Sequence, residues 1–86
     1  GATPSGLSFP RPDWMGKLDS WSARLYVEFN TRGEPAQVFL EEPSSYERVN
    51  RLLVTAAQAW RAERAAGAWR GRVTVRAGAT PAEAAP

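Results

Sequence analysis

Between Ala23 and Arg76 the spacing of apolar residues changes twice, and the order of those changes leaves few architectures open. In ARLYVEF, Leu25, Val27 and Phe29 alternate with Arg24, Tyr26 and Glu28, the period of two that marks a strand with one buried face. AQVFLEE repeats the device, turning Val38 and Leu40 inward and Gln37, Phe39 and Glu41 outward. NTRGEP between them supplies Asn30 and Gly33, residues that tolerate positive φ, so the two strands are predicted to form an antiparallel hairpin. Beyond Pro43 the period becomes that of a helix: Val49, Leu52, Leu53, Ala56 and Trp60 make one apolar stripe, with Arg48, Arg51, Thr55 and Gln58 opposite. Ser44 followed by Glu47 predicts a capping box at the helix start, and Gly67 predicts a left-handed stop. The expected helix, Ser45 to Ala66, is about 32 Å long at ~1.5 Å per residue. WRGRVTVR then returns to alternation, with Trp69, Gly71, Val73 and Val75 on one side and Arg70, Arg72, Thr74 and Arg76 on the other.

The predicted class is therefore α+β, in the order β-β-α-β. A right-handed crossover through the helix leaves the first strand between the second and third, giving a three-stranded antiparallel sheet of order 2-1-3 with one long helix on one face. The core is expected to hold Leu25, Val27, Phe29, Val38, Leu40, Trp69, Val73 and Val75 from the sheet against Val49, Leu52, Leu53, Ala56 and Trp60 from the helix. Ahead of it, residues 1–13 are rich in Pro, Gly and Ser and read as an irregular lead-in, followed by a short helix or turn around Asp13 to Ser20 that brings Trp14 and Leu18 to the core. Residues 78–86, GATPAEAAP, are low-complexity and are expected to be disordered, which leaves 14–77 as a single domain.

A chain of 86 residues has room for one small core. Without cysteine, neither a disulfide nor a thiolate metal site supplements it, and redox chemistry does not indicate a compartment. No apolar run is long enough to span a membrane, and the first residues lack the charged and apolar regions of a signal peptide. Gly1-Ala2 reads as the scar of an excised C-terminal piece, so an anchor or export signal is expected upstream.

Residue types also narrow the chemistry. The absence of histidine and cysteine removes the commonest general base, the commonest transition-metal ligand and the best nucleophile together. Glu41 and Glu42 are adjacent, but neighbours on a strand point to opposite faces and are not expected to share a site. No phosphate-cradling loop or Asp-rich calcium loop is present. The chain is expected to be no enzyme and to carry no cofactor and no metal.

Charge distribution says more than the net value of +2. From Arg61 to Arg76, Arg61, Arg64, Arg70, Arg72 and Arg76 face a single acid, Glu63, whereas Glu28, Glu34, Glu41, Glu42 and Glu47 lie earlier. On an edge strand such a row has a plain use, since charge keeps sheets from sticking together. Its other use is recognition. An extended peptide adds to the open edge, taking affinity from backbone groups around Val73, Thr74 and Val75 and selectivity from Arg70, Arg72 and Arg76, with Tyr26 and Phe39 offering apolar area on the uncovered face. A sheet-face binder of single-stranded nucleic acid would use the same basic and aromatic side chains, but Glu28 and Glu41 share that face and no glycine-flanked aromatic signature accompanies them.

The stretch VEFNTRGEPAQVFLEEPSSYERVNRLLVTAAQAWRA, closed by GAWRGRVTVR, resembles the C-terminal periplasmic domain of TonB-type energy transducers and, more loosely, that of TolA. The pattern runs from about residue 21 to 76: Val27-Glu28-Phe29 with Gly33, Val38 to Leu40, Pro43-Ser44-Ser45, the helix from Leu52 to Trp60, and Arg72-Val73-Thr74-Val75. Phe9-Pro10 is set against the family's Tyr-Pro. The resemblance implies a non-catalytic protein-interaction domain of the bacterial cell envelope whose closing strand docks an extended segment of an outer-membrane receptor. It further implies a periplasmic location, a parent anchored in the inner membrane, and a part in energy transduction or transport across the outer membrane. The family also includes copies serving secretion and envelope assemblies, so an accessory domain of a secretion or pilus machine is the alternative. Whether two copies pair through the same edge is left open by the residues.

Overall fold

The computed structural model describes residues 7–62, 68–77 and 82–83. Its centre is the strand β1 (Ser22–Phe29), paired antiparallel on one side with β2 (Pro35–Glu42) and on the other with β3 (Trp69–Arg76). Between β2 and β3 lies one helix, α1 (Glu47–Gln58). The order β2-β1-β3 is the one predicted, and the alternation sets the faces as expected: Ala23, Leu25, Val27 and Phe29 are buried, opposite Val73 and Val75 of β3. Val38, Leu40 and Trp69 pack on the same core but are only half-buried, because they lie toward the margins of the sheet. A two-residue strand absent from the predicted sheet, β4 (Ala82–Glu83), continues the sheet outside β3. It falls in the tail expected to be disordered.

The hairpin loop is built around Asn30 and Gly33. The Asn30 carbonyl oxygen of the side chain accepts the backbone N–H groups of Arg32 (2.9 Å) and Glu34 (3.1 Å), an arrangement that turns the chain without a strand ladder. Gly33 takes φ = 77°, open to glycine at little cost. Its lack of a side chain serves a second end, since a Cβ there would lie 2.1 Å from the carbonyl oxygen of Ala62. That close approach lets the Gly33 carbonyl accept the Ala62 N–H at 2.8 Å, so the hairpin tip is fastened to the chain just after the helix.

The helix is shorter than its pattern suggests and begins differently. It ends at Gln58, where i to i+3 bonds from Ala59 to Ala56 and from Trp60 to Ala57 tighten the last turn. The next donors have tertiary partners: the Trp60 indole N–H donates to the Ser8 carbonyl and the Ala62 N–H to Gly33. These bonds draw the chain off the helix axis, and the expected Gly67 stop lies outside the described residues. Val49, Leu53 and Ala57 are fully buried, whereas Leu52 and Ala56, expected at the centre of the stripe, are half-buried. At the start, Tyr46 is the N-cap and makes no side-chain cap bond, so the predicted capping box does not form. Ser44 is instead paired with Asn50. The Asn50 side-chain oxygen accepts the Ser44 N–H (2.8 Å) and hydroxyl (2.7 Å), and its amide donates to the Ser44 carbonyl (3.1 Å). Both residues are buried, so this reciprocal pair satisfies polar groups that burial would otherwise penalise.

The described part of the lead-in, residues 7–12, is irregular up to a 3-10 segment, Asp13–Lys17, yet its apolar residues complete the core. Leu7, Phe9 and Met15 are buried, and Phe9 meets the buried Trp21 edge-on at 6.1 Å. Trp14 lies under the Arg48 guanidinium at 4.2 Å, joining the 3-10 segment to the start of α1. Two substitutions test this account by urea denaturation. Asn50→Ala is expected to destabilise the domain by about 1–3 kcal/mol, the cost of leaving the Ser44 backbone groups unpaired. Gly33→Ala is expected to cost more than about 1 kcal/mol, through positive φ and collision with Ala62; unchanged midpoints would show that these contacts do not hold the fold.

Candidate functional site

One helix covers one face of the sheet, and the other face carries the even-numbered residues of β1 and β3. Register sets Arg72 beside Tyr26 and Tyr26 beside Phe39, so a guanidinium and two rings line up across the three strands. Tyr26 and Phe39 stack at 6.3 Å between centroids, and the Arg72 guanidinium carbon lies 5.9 Å from the Tyr26 centroid. Phe39 is 57% exposed, the one large apolar side chain so open among the described residues.

The arginine row is not uniform. The Arg72 Nε–H donates to both oxygens of Glu41 (2.8 and 3.1 Å), so this side chain reaches across β1 to β2. That hydrogen bond and the carboxylate charge raise the Arg72 pKa above its ordinary value, and the group stays cationic at any pH compatible with folding. Arg24 binds the adjacent pair, its Nη2 lying 2.6 Å from Glu42 and its Nε 3.5 Å from Glu41. Two neighbouring strand residues were not expected to share a partner. They do because the ladder is irregular there: Arg24 sits opposite Glu42 and Leu25 opposite Leu40, so Glu41 is an extra residue that breaks the alternation. Arg70 and Arg76, at the two ends of β3, are exposed and make no ion pair among the described residues. Arg24 therefore belongs to this face beside the expected site residues, and its alternation with Tyr26 and Glu28 is the sequence signal that marks it.

The edge itself follows from hydrogen-bond phase. Trp21 accepts the Ala77 N–H (3.1 Å), and the β1–β3 register continues from there without a break. In an antiparallel ladder a residue's N–H and C=O point to the same side and the side alternates along the strand. Odd-numbered residues of β3 therefore bond to β1, while Arg70, Arg72, Thr74 and Arg76 turn their backbone groups outward. Val73 and Val75, included in the expected docking set, are fully buried and direct their backbones to β1. Outside β3, Ala82 sits opposite Thr74 and Glu83 opposite Val73, which is the part of the edge that described residues cover.

Trp69 lies along the strand over Gly71, where a Cβ would come within 2.9 Å of the indole, and its ring tilts against Phe29 at 6.2 Å. Among the described residues no cluster of His, Cys, Asp and Glu could hold a metal ion, and no helix is long and apolar enough to cross a membrane. No family model, no curated protein and no solved structure matches the chain.

The phase argument separates two substitutions one residue apart. Val73→Pro removes a donor to β1 from the centre of the core and is expected to lower the thermal midpoint by about 10 °C or more, or to abolish folding. Thr74→Pro removes an outward donor and is expected to shift it by no more than ~5 °C. Equal losses in thermal unfolding would mean that the phase is assigned the wrong way.

Proposed function

We propose that this domain is a non-catalytic protein-interaction module of the bacterial cell envelope, of the TonB type, which docks an extended partner segment along the outer edge of β3. The observation that carries the reading is the set of outward backbone groups at Arg70, Arg72, Thr74 and Arg76, on a margin where a short antiparallel strand already sits. Backbone pairing along that margin supplies affinity without requiring a particular partner sequence, and the flanking side chains supply choice. Selectivity for acidic segments rests on Arg70 and Arg76, since Arg72 is already committed to Glu41. Tyr26 on β1 and Phe39 on β2 lie across the bare face from that margin, so they add apolar contact only for a partner that also crosses this face. The order of elements and the β2-β1-β3 sheet support the family resemblance. With it come the periplasmic location and a role in energy transduction or transport across the outer membrane.

The test is amide chemical-shift mapping of the isotope-labelled domain against a panel of extended peptides from outer-membrane receptors. At least one peptide is expected to shift Arg70, Arg72, Thr74 and Arg76 together, and Thr74→Pro to reduce its affinity at least tenfold. Shifts confined to the helix, or binding of mixed-sequence oligonucleotides with a steep salt dependence, would overturn the proposal.

A further inference from the structure

The outer edge of β3 is not vacant: Ala82 and Glu83 pair with Thr74 and Val73. We infer that β4 is an internal occupant of the docking edge, so that a partner segment binds by exchange with the chain's own tail. This inference rests on the reading of that edge as a docking site and concerns how access to it is regulated.

Three features make the tail a holder of the edge that a partner can remove. First, among the described residues it covers one of the outward positions, Thr74, whereas a longer strand would also engage those at Arg70, Arg72 and Arg76. Second, Pro81, Pro86 and the alanines between them are residue types depleted from strands, so the tail is a weak strand former. Third, β4 is only two residues long, so few backbone hydrogen bonds hold it in place. A tail joined to the strand it covers still competes well, because tethering gives it a high effective concentration. An edge shielded in this way is also protected from pairing with stray strands, a hazard of any bare sheet margin.

A ligand that needs the uncovered state binds with an apparent affinity reduced by the fraction uncovered. With the tail docked in about nine molecules of ten, its removal strengthens binding about tenfold. The experiment compares the intact chain, a chain ended after Ala77, and the intact chain carrying Ala82→Pro, which keeps the tail but removes the donor opposite Thr74. The probe is the blocked synthetic peptide acetyl-Glu-Thr-Val-Thr-Val-Thr-Glu-amide, titrated with amide shifts as the readout. Hydrogen exchange at the Thr74 amide is measured without peptide.

Both altered chains are expected to exchange Thr74 faster than the intact chain and to bind the probe several-fold to tenfold more tightly. Equal affinity for all three at the β3 edge, or an unchanged Thr74 exchange rate, overturns the inference while leaving the docking reading standing. Failure of all three to bind, with Thr74 exchange still faster on tail removal, overturns the docking reading and the exchange proposal with it.

Discussion

A single helix of 12 residues can shield only one side of a sheet, and most of the molecule follows from that limit. The shielded side takes every aliphatic residue of β1 and β3, leaving Leu25, Val27, Val73 and Val75 without solvent contact beneath Val49 and Leu53. The unshielded side has to be stable in water, and it is furnished with arginines, glutamates and a stacked Tyr26–Phe39 pair. Ion pairs on such a surface add little to stability, so the cluster around Glu41 is better understood as positioning than as reinforcement. It holds Arg72 flat across the sheet and leaves Arg70 and Arg76 as the cations open to a visitor.

One helix is also too little to close the core by itself, and irregular chain finishes the work. Leu7 and Phe9 enter from the lead-in, Phe9 against Trp21, while Trp60 and Ala62 fasten the segment after the helix to Ser8 and to Gly33. In a chain without cysteine these contacts take the place of cross-links, drawing both flanks of the α/β unit onto its centre. The buried Ser44–Asn50 pair does the same for the turn between β2 and α1, where no cap would otherwise fix the direction of the helix.

The regular parts of this arrangement were legible because periodicity is a local signal. Alternation in β1 and β3 predicted both the strands and the faces, and the change of period after Pro43 predicted the helix and the sheet order. What escaped prediction depends on contacts between distant residues. Nothing local tells that Trp60 donates to Ser8, so the apolar stripe predicts a helix running on toward Gly67; nothing local tells that Ser44 pairs with Asn50 in preference to a cap with Glu47. Asn50 sat unnoticed beside an apolar stripe because a buried amide looks like a solvent-facing one until its partner is known. The candidate edge residues were legible only in part. Alternation distinguished the two faces of β3 but not the direction of its hydrogen bonds, which required the pairing of Ala77 with Trp21.

That direction has a consequence for how such a surface can change over time. Along β3 the residues whose amides look outward are the same ones whose side chains lie on the bare face, while their neighbours serve the interior in both respects. Stability and specificity are thus written on interleaved letters of one short word. Selection can redraft the second set, altering what the margin prefers, without disturbing the first.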